Sequence, residues 1–301
     1  MSNICIIGHI SIDKIYNNNN MHESIGGPPC YSGITSINEG NNIAVLTKVG
    51  KDFPDKYESW LNEKNIIIKN QKSSKDTTSF KIKEINNNKQ LILINKCEEI
   101  IPKKTILDNY DGIIISPIAN ELSKKYNKII NKLENNTMLD PQGYLREFDK
   151  EGFCNLRYNK INELPRTDII KISEEESIML DNSTKVLDRL KKIAETYPTT
   201  IGTIGNYSTY IINNEKCYLI NNNKSDNLKD TVGLGDILNG MFFSMYLKNE
   251  DILWSISRSI AFASTRKGIG IKKLETESEY EELADYIYNN IKRIDWDILK
   301  K

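Results

Sequence analysis

Short apolar runs that alternate with amphipathic segments place the strongest limit on how this 301-residue chain can fold. A continuous apolar run such as Ile4 to Ile7 is typical of a strand buried on both faces of a parallel sheet. Strands that alternate with helical segments indicate βαβ units, and therefore an α/β fold with a mostly parallel sheet. The predicted strands are 4–7, 43–49, 112–116, 137–140, 169–172 and 201–205, and the predicted helices are 122–133, 174–180, 185–196, 234–247, 251–266 and 279–291.

One region departs from this alternation. Between Thr77 and Ile94 the apolar residues follow a period of two on both sides of the turn Asn86-Asn87-Asn88. This pattern predicts a β-hairpin, and the pattern alone does not distinguish a plain edge hairpin from a more specialised one. A second hairpin is predicted from 207–212 and 217–220.

The stretch Asp230 to Asp236 reads Asp-Thr-Val-Gly-Leu-Gly-Asp and leads directly into an apolar helical stripe that begins at Leu234. The first amides of a helix have no intrahelical partner, so this position can bind an anion. Gly233 and Gly235 would let a phosphate approach the bare main chain. A carboxylate beside a phosphate is explained best if Asp236 takes a proton from an attacking hydroxyl. An ordinary helix N-cap remains the alternative.

These residues resemble the C-terminal signature of the ribokinase-like carbohydrate kinases, the PfkB family. The resemblance implies one ribokinase-like α/β domain over 1–301: a three-layer fold with a mostly parallel central sheet flanked by helices. It also implies a small β-sheet lid formed by roughly 10–30 and 75–96, and it makes Asp236 the catalytic base. The implied anion hole consists of the main-chain amides of Gly233, Leu234, Gly235 and Asp236.

The same resemblance implies where the acceptor binds. Asp13 would accept hydrogen bonds from sugar hydroxyls, and the pair Gly26-Gly27 would bring the main chain close to the substrate. Family members usually carry an asparagine four positions after the second glycine, whereas this chain has Tyr31. That difference favours an acceptor whose hydroxyl pattern is not that of ribose. From the residues alone, a turn aspartate and a rigid turn explain these features equally well.

A second acceptor stretch follows the predicted strand 137–140. Asp-Pro-Gln-Gly-x-x-Arg resembles a run found in the branch of the family that acts on inositol and related polyols. Gln142 and Arg146 are therefore predicted to contact the substrate or a phosphate, because a guanidinium offers a planar fork to phosphate oxygens. A surface arginine is the alternative.

Donor binding is predicted from weaker matches. Ser173 to Glu176 resembles the family's Asn-x-x-Glu element with serine in place of asparagine, and this resemblance implies that Glu176 helps to hold hydrated Mg²⁺. Acidic residues at the start of a helix are equally favoured by the helix dipole. The implied ATP contacts are Thr203, Gly205, Ala263 and Gly268.

Composition excludes several other classes of protein. Lys+Arg and Asp+Glu both number 41, so no overall basic field would attract nucleic acid. The five cysteines are scattered and never form a Cys-x-x-Cys pair, which is typical of free thiols in a reducing compartment. No apolar run approaches the ~20 residues that a membrane helix needs. A cytoplasmic protein without a membrane partner is expected.

Absent motifs narrow the function further. No Gly-x-Gly-x-x-Gly follows Ile4 to Ile7, and no Gly-x-x-x-x-Gly-Lys-Ser/Thr occurs, which argues against a nicotinamide dehydrogenase and a phosphate-loop kinase. The expected activity is that of a kinase that uses ATP and Mg²⁺ to phosphorylate a small polyol or sugar. Myo-inositol is the expected acceptor, followed by nucleosides and ribose, and the lid could pair two chains in a homodimer. A non-catalytic sugar-binding sensor is the alternative from another class.

Overall fold

Within the described residues of the computed structural model, ten strands form one central sheet whose middle is parallel. The described residues are 1–17, 20–69, 71–85, 88–205, 207–222, 232–249, 251–265, 271 and 280–295. In chain order the strands are β1 (Asn3–Ile7), β2 (Ser11–Asn17), β3 (Asn20–Gly26), β4 (Asn42–Leu46), β5 (Lys48–Val49), β6 (Ile67–Ile68), β7 (Gln71–Lys72), β8 (Ser79–Ile85), β9 (Asn88–Asn95), β10 (Gly112–Ile115), β11 (Asn136–Leu139), β12 (Arg146–Phe148), β13 (Cys154–Leu156), β14 (Ile169–Ser173), β15 (Thr199–Ile204), β16 (Ser208–Asn213), β17 (Lys216–Asn221) and β18 (Lys292–Ile294). The order across the central sheet is β18-β17-β16-β15-β14-β11-β10-β1-β4-β6, and β15 to β18 pair in antiparallel fashion.

The α-helices are α1 (Pro28–Asn38), α2 (Asp55–Glu63), α3 (Lys104–Leu107), α4 (Asn127–Ile130), α5 (Gln142–Leu145), α6 (Glu174–Ile178), α7 (Val186–Ala194), α8 (Leu234–Leu247), α9 (Ile252–Ser264) and α10 (Glu281–Asn289). Helices cover both faces of the central sheet, and successive residues of a strand point to opposite faces. In β1, Ile4 and Ile6 join one hydrophobic cluster, whereas Cys5 and Ile7 join another. The first cluster includes residues of α1, α2, α8, α9 and α10, and the second includes residues of α3, α4, α5 and α7. No helix in the described ranges is long and apolar enough to cross a bilayer.

The three-layer α/β architecture expected from the sequence is confirmed, but the prediction of a helix over 122–133 is wrong. A 3-10 helix at Lys124–Tyr126 and the single turn of α4 replace it. Asparagine side chains in this segment bond to other parts of the chain: Asn127 donates to the Glu163 carbonyl, and Asn131 accepts from the Arg166 amide. These bonds hold the segment against the chain that precedes β14, and α4 ends at Ile130.

A separate four-stranded sheet lies beside the central one, in the order β3-β2-β8-β9. The hairpin predicted between Thr77 and Ile94 is confirmed as β8 and β9, although 86–87 at its turn lie outside the described residues. Phe80 and Ile82 on one face of this sheet are buried against Ile118 and Ala119, in the loop after β10. The small sheet therefore packs at the carboxyl end of the parallel strands, and it is called the lid sheet below.

Candidate active site

A cleft of about 450 Å³ opens between the lid sheet and the carboxyl ends of the parallel strands. This end of an open α/β sheet is where ligands commonly bind. Asp13 and Asp236 both line the cleft, so the cavity joins the two carboxylates that the sequence singled out. The cleft is lined by Ser11, Asp13, Gly27, Pro28, Tyr31, Phe80, Ile82, Leu91, Ile118, Gln142, Arg146, Cys154, Leu156, Ser173, Glu175, Glu176, Val232, Gly233 and Asp236.

The helix α8 begins at the cleft, as the glycines of the signature predict. Gly233 is its N-cap residue with φ 75°, and its carbonyl accepts the first helical bond from the Ile237 amide at 2.9 Å. A Cβ at Gly233 would lie 2.7 Å from the ring of Tyr31, so only glycine fits this left-handed turn. The amides of Leu234, Gly235 and Asp236 occupy the first turn, where helices lack internal acceptors. Asp230 and Thr231 lie outside the described residues.

Asp236 has the electrostatic environment of a proton acceptor. Burial, followed by the nearby carboxylate of Asp140, raises its pKa to about 7, although Lys171, Arg146 and the amide of Gln142 act in the opposite direction. Gln142 donates a long hydrogen bond of 3.4 Å to Oδ1 of Asp236. A group with this pKa is partly ionised at neutral pH, and it can therefore accept a proton there.

Sequence reasoning missed two charged residues beneath this site. Asp140 is 1% exposed, and its Oδ2 accepts hydrogen bonds from Lys171 Nζ at 3.2 Å and Asn239 Nδ2 at 2.9 Å. Burial alone would lower the pKa of Lys171, but carboxylates, with that of Asp140 the most effective, raise it well above its usual range. Lys171 Nζ lies 2.8 Å from the position of a Cβ on Gly235. A positive charge thus stands directly behind the first turn of α8.

A signal for this pair was present in the sequence. Lys171 interrupts the apolar run Ile169-Ile170-Lys171-Ile172, which forms a strand buried on both faces. Lysine is almost never fully buried unless it is paired. The ion-pair partner of Lys171 is Asp140, at the end of the neighbouring strand β11.

Part of the cleft is formed by β2 and the start of α1, and β3 pairs with β2. Asp13 is 4% exposed, and a Cβ on Gly26 would lie 2.0 Å from its Oδ2. Gly27 has φ 88° and is the N-cap residue of α1, whose first positions are the two prolines. Gly26 therefore leaves space for the carboxylate of Asp13, and the ring of Tyr31, on α1, packs against Gly233.

Gln142 and Arg146 lie together at the cleft, at the start and just after the end of α5. Gln142 contacts Asp236 as described, and its Nε2 also lies 3.5 Å from Ser116 Oγ. Arg146 donates from Nη1 to the Ile118 carbonyl at 3.2 Å. The remainder of its guanidinium fork faces a site that also holds Asp236, whose pKa it lowers. Both residues line the cleft, and their contact with an acceptor or a phosphate stays a prediction.

Glu176 lines the cleft and also has a structural role. Its carboxylate accepts from the Ser173 amide at 2.9 Å, and Ser173 Oγ accepts from the Glu176 amide at 3.2 Å, which is a capping box at the start of α6. Burial raises its pKa, while Lys171 opposes this shift. No group of three or more metal-ligating side chains occurs in the part of the chain that the structure describes. One or two carboxylates, such as Glu176 and Glu175, fit Mg²⁺ that keeps most of its water.

The predicted nucleotide contacts are more dispersed. Thr203 is near the end of β15, and Gly205 follows it with φ 48°. Ala263 is buried in the last turns of α9 and belongs to the hydrophobic core. Gly268 lies outside the described residues.

Comparisons with known proteins show the family and the fold of the chain. The family model described as pfkB family carbohydrate kinase matches residues 1–267. A pyrophosphate-dependent kinase in the ribokinase family, complexed with a pyrophosphate analogue and myo-inositol, superposes with a TM-score of 0.78 at 19% identity, covering 90% of this chain and 99% of its own.

Two further structures show the same fold. A nucleoside kinase of Methanocaldococcus jannaschii gives a TM-score of 0.70 at 20% identity, covering 96% of this chain and 99% of that one. The Arabidopsis thaliana ribokinase complexed with ribose and ATP gives 0.73 at 13% identity, covering 94% and 98%. No curated protein has a significant sequence match to the chain.

Proposed function

The chain belongs to the pfkB family of carbohydrate kinases, and on that basis we propose that it transfers the γ-phosphoryl group of ATP to a hydroxyl of a small polyol, with myo-inositol as the expected acceptor. The observation that carries this proposal is Asp236, a carboxylate whose pKa of about 7 suits a base and which lines the same cleft as Asp13. A protein that only binds sugars would not need a base beside a helix N-terminus.

Each residue has a defined role in the proposed transfer. Asp13 and the main chain at Gly27 hold the acceptor, and Asp236 takes the proton of the attacking hydroxyl. The new bond joins the acceptor oxygen to the terminal phosphorus, while the bond from that phosphorus to the bridging oxygen of ADP breaks. Positioning and charge stabilisation supply most of the catalysis in such a reaction.

The first turn of α8 stabilises the charge that develops on the phosphoryl oxygens. The amides of Leu234, Gly235 and Asp236 point outward there, and Lys171 adds a positive charge behind them. Mg²⁺, when bound near Glu176, would neutralise charge on the donor phosphates. Arg146 lines the same cleft and offers its guanidinium to phosphate oxygens.

The chemistry of the cleft supports a ring polyol as acceptor. The lid sheet lines the cleft with the polar side chains of Ser11 and Asp13 on β2, and with the apolar side chains of Phe80, Ile82 and Leu91 on β8 and β9. A cyclohexane polyol with mostly equatorial hydroxyls has polar edges and apolar C–H faces. Its edge would bond to Ser11 and Asp13 while one face packs against the apolar side chains. The inositol-bound relative supports the same choice.

The experiment that tests this function is a direct assay of phosphorylated product over a panel of acceptors. Wild-type protein and Asp236→Asn are incubated with ATP, Mg²⁺ and, in turn, myo-inositol, ribose or a nucleoside, and product is detected by phosphorus NMR. We expect transfer to myo-inositol that falls by about 10²–10⁴-fold in the variant. A parallel series replaces ATP by pyrophosphate, the donor of one structural relative.

Several results would contradict the proposal. Equal rates for the wild type and Asp236→Asn would remove the base from the mechanism. Binding of myo-inositol without any transfer would favour a sugar-binding sensor. Product with a nucleoside alone, or with pyrophosphate alone, would reassign the acceptor or the donor.

A further inference from the structure

A short hairpin that no sequence pattern predicted connects the cleft to the lid sheet. It consists of β12 and β13, and its turn is closed by Asp149, whose Oδ1 accepts from the amides of Glu151 at 3.0 Å and Phe153 at 2.8 Å. The Gly152 amide donates to the Asp149 carbonyl at 3.0 Å. These local bonds make the turn a defined structure rather than a loose loop.

The base of the hairpin is fixed to the α/β core. Asn120 Nδ2 donates to the Arg146 carbonyl at 2.9 Å, and the Arg157 amide donates to the Leu145 carbonyl at 2.8 Å. Arg157 Nη2 also donates to Asn120 Oδ1 at 3.1 Å. The main chain on both sides of the hairpin is therefore held by the loop after β10 and by the end of α5.

The tip of the hairpin is attached to the lid sheet. The Leu93 amide of β9 donates to the Gly152 carbonyl at 2.8 Å, and Ile92 forms a β-bridge with Phe153. The rings of Phe80 and Phe148 also meet, with centroids 6.2 Å apart. Because β9 is an edge strand, the hairpin occupies part of the edge on which another chain could add a strand.

Side chains of the hairpin line the cleft in which the acceptor would bind. Arg146, Cys154 and Leu156 line the same cavity as Ile82 and Leu91 of the lid sheet. The hairpin thus carries Arg146 at its base and is bonded to the lid sheet at its tip. A shift of the lid sheet would therefore also shift the main chain that holds Arg146.

We propose that the 146–156 hairpin is a positioning element that fixes the lid sheet and Arg146 in one arrangement around the acceptor, with Gly152 as its critical attachment point. The inference rests on the proposed kinase function. It assigns to Gly152 an effect on acceptor binding without any contact between this residue and the acceptor.

The test is a matched pair of glycine substitutions. Gly152 has φ 85°, and a Cβ there would lie 2.2 Å from the Leu93 carbonyl oxygen. Gly40 has a similar φ of 79°, but a Cβ there would meet nothing within 4 Å. Gly152→Ala and Gly40→Ala therefore share the backbone strain of a left-handed alanine, and only the first also breaks the attachment.

Two readouts separate a positioning role from general destabilisation. We expect Gly152→Ala to raise the acceptor KM about tenfold with little change in the ATP KM, and to increase ATP hydrolysis relative to transfer because water enters a loosened cleft. We also expect the Leu93 amide to exchange with solvent about tenfold faster, measured by hydrogen–deuterium exchange NMR. Gly40→Ala should match the wild type in both measurements.

A second variant covers the case in which Gly152→Ala unfolds. Phe148→Leu leaves the main chain intact and removes the ring contact with Phe80, so a smaller rise in the acceptor KM is expected. The inference is overturned if Leu93 exchanges faster while the acceptor KM stays at the Gly40→Ala value, or if neither readout changes. An inactive wild type would instead contradict the kinase proposal, and calorimetric binding of myo-inositol to the same variants would then decide whether the hairpin positions the acceptor.

Discussion

Replacement of Asp140 by asparagine should move the pH dependence of catalysis, because Asp140 is the charged neighbour that raises the pKa of Asp236. With a pKa of about 7, the ionised fraction of Asp236 is roughly nine tenths at pH 8, half at pH 7 and one tenth at pH 6. If Asp236 is the base, kcat/KM of the wild type should follow this fraction. The acid limb of the profile should therefore have its midpoint near pH 7.

The size of the shift follows from the charges around Asp236. In Asp140→Asn a like charge disappears, while Lys171 keeps its positive charge and loses its anionic partner. Both changes favour the ionised form of Asp236, so its pKa should fall by about one unit or more. Relative to its own plateau, the variant should be about fivefold more active than the wild type at pH 6. The plateau itself should be lower, because a carboxylate with a lower pKa is a weaker base.

The assay must separate this effect from titration of the substrates. Phosphate groups also titrate near pH 6, so the donor contributes to any single profile. Its contribution is the same for each protein, and the difference between two profiles therefore reports on the protein. Product should be quantified directly, without coupling enzymes, at saturating Mg²⁺. Asp108→Asn, which removes an exposed carboxylate on α3's C-terminal side, is the control for loss of charge.

Two results would refute this reasoning. An acid limb at the same pH in the wild type and Asp140→Asn would show that Asp140 does not act on the base. A wild-type limb near the ordinary aspartate pKa of 3.8 would show that Asp236 is not perturbed in the working enzyme.

Three further predictions follow from the same site. The folded-state pKa of Asp236, about 7, exceeds its ordinary value of 3.8, so ionisation of this carboxyl group destabilises the folded protein. The wild type should therefore lose stability relative to Asp236→Asn as the pH rises from 3.8 to 7, and above pH 7 the loss should reach about 4 kcal/mol. Urea unfolding of both proteins measures this difference. Gly26→Ala should raise the acceptor KM about tenfold without changing the donor KM, since its Cβ would displace the Asp13 carboxylate; steady-state kinetics test this. Gly235→Ala should fold at least as stably as the wild type, because alanine favours a helix, yet show a kcat about tenfold lower, since its Cβ displaces Lys171 Nζ.

Sequence patterns predicted an element correctly where the residues of that segment determine its structure by themselves. The start of α8 was predicted from two glycines followed by an apolar stripe, and the structure places the helix start at Leu234. The hairpin of β8 and β9 followed from period-two alternation. In contrast, β2 and β3 were not recognised as strands from their pattern. The lid was expected there from family resemblance alone.

The position of Glu176 is compatible with both roles that its sequence context allowed. The sequence allowed either a magnesium ligand or a helix-start acid, and the structure places the carboxylate in a capping box at the wall of the cleft. The Ser-x-x-Glu spacing of Ser173 and Glu176 is itself a sequence signature of such a box. Applying it would have predicted the cap, but not the position of the carboxylate beside Lys171.

The charged centre of the site escaped prediction because its contacts join residues far apart in the chain. Lys171 and Asp140 are 31 positions apart, and Asn239 is 99 positions from Asp140. Neither residue identifies the other as its partner from its own segment, since only strand order in the sheet places β14 beside β11. Lysine is rarely buried unless it is paired. A charged residue inside an otherwise apolar strand is therefore the sequence signal that should have pointed to the buried pair of Lys171 and Asp140.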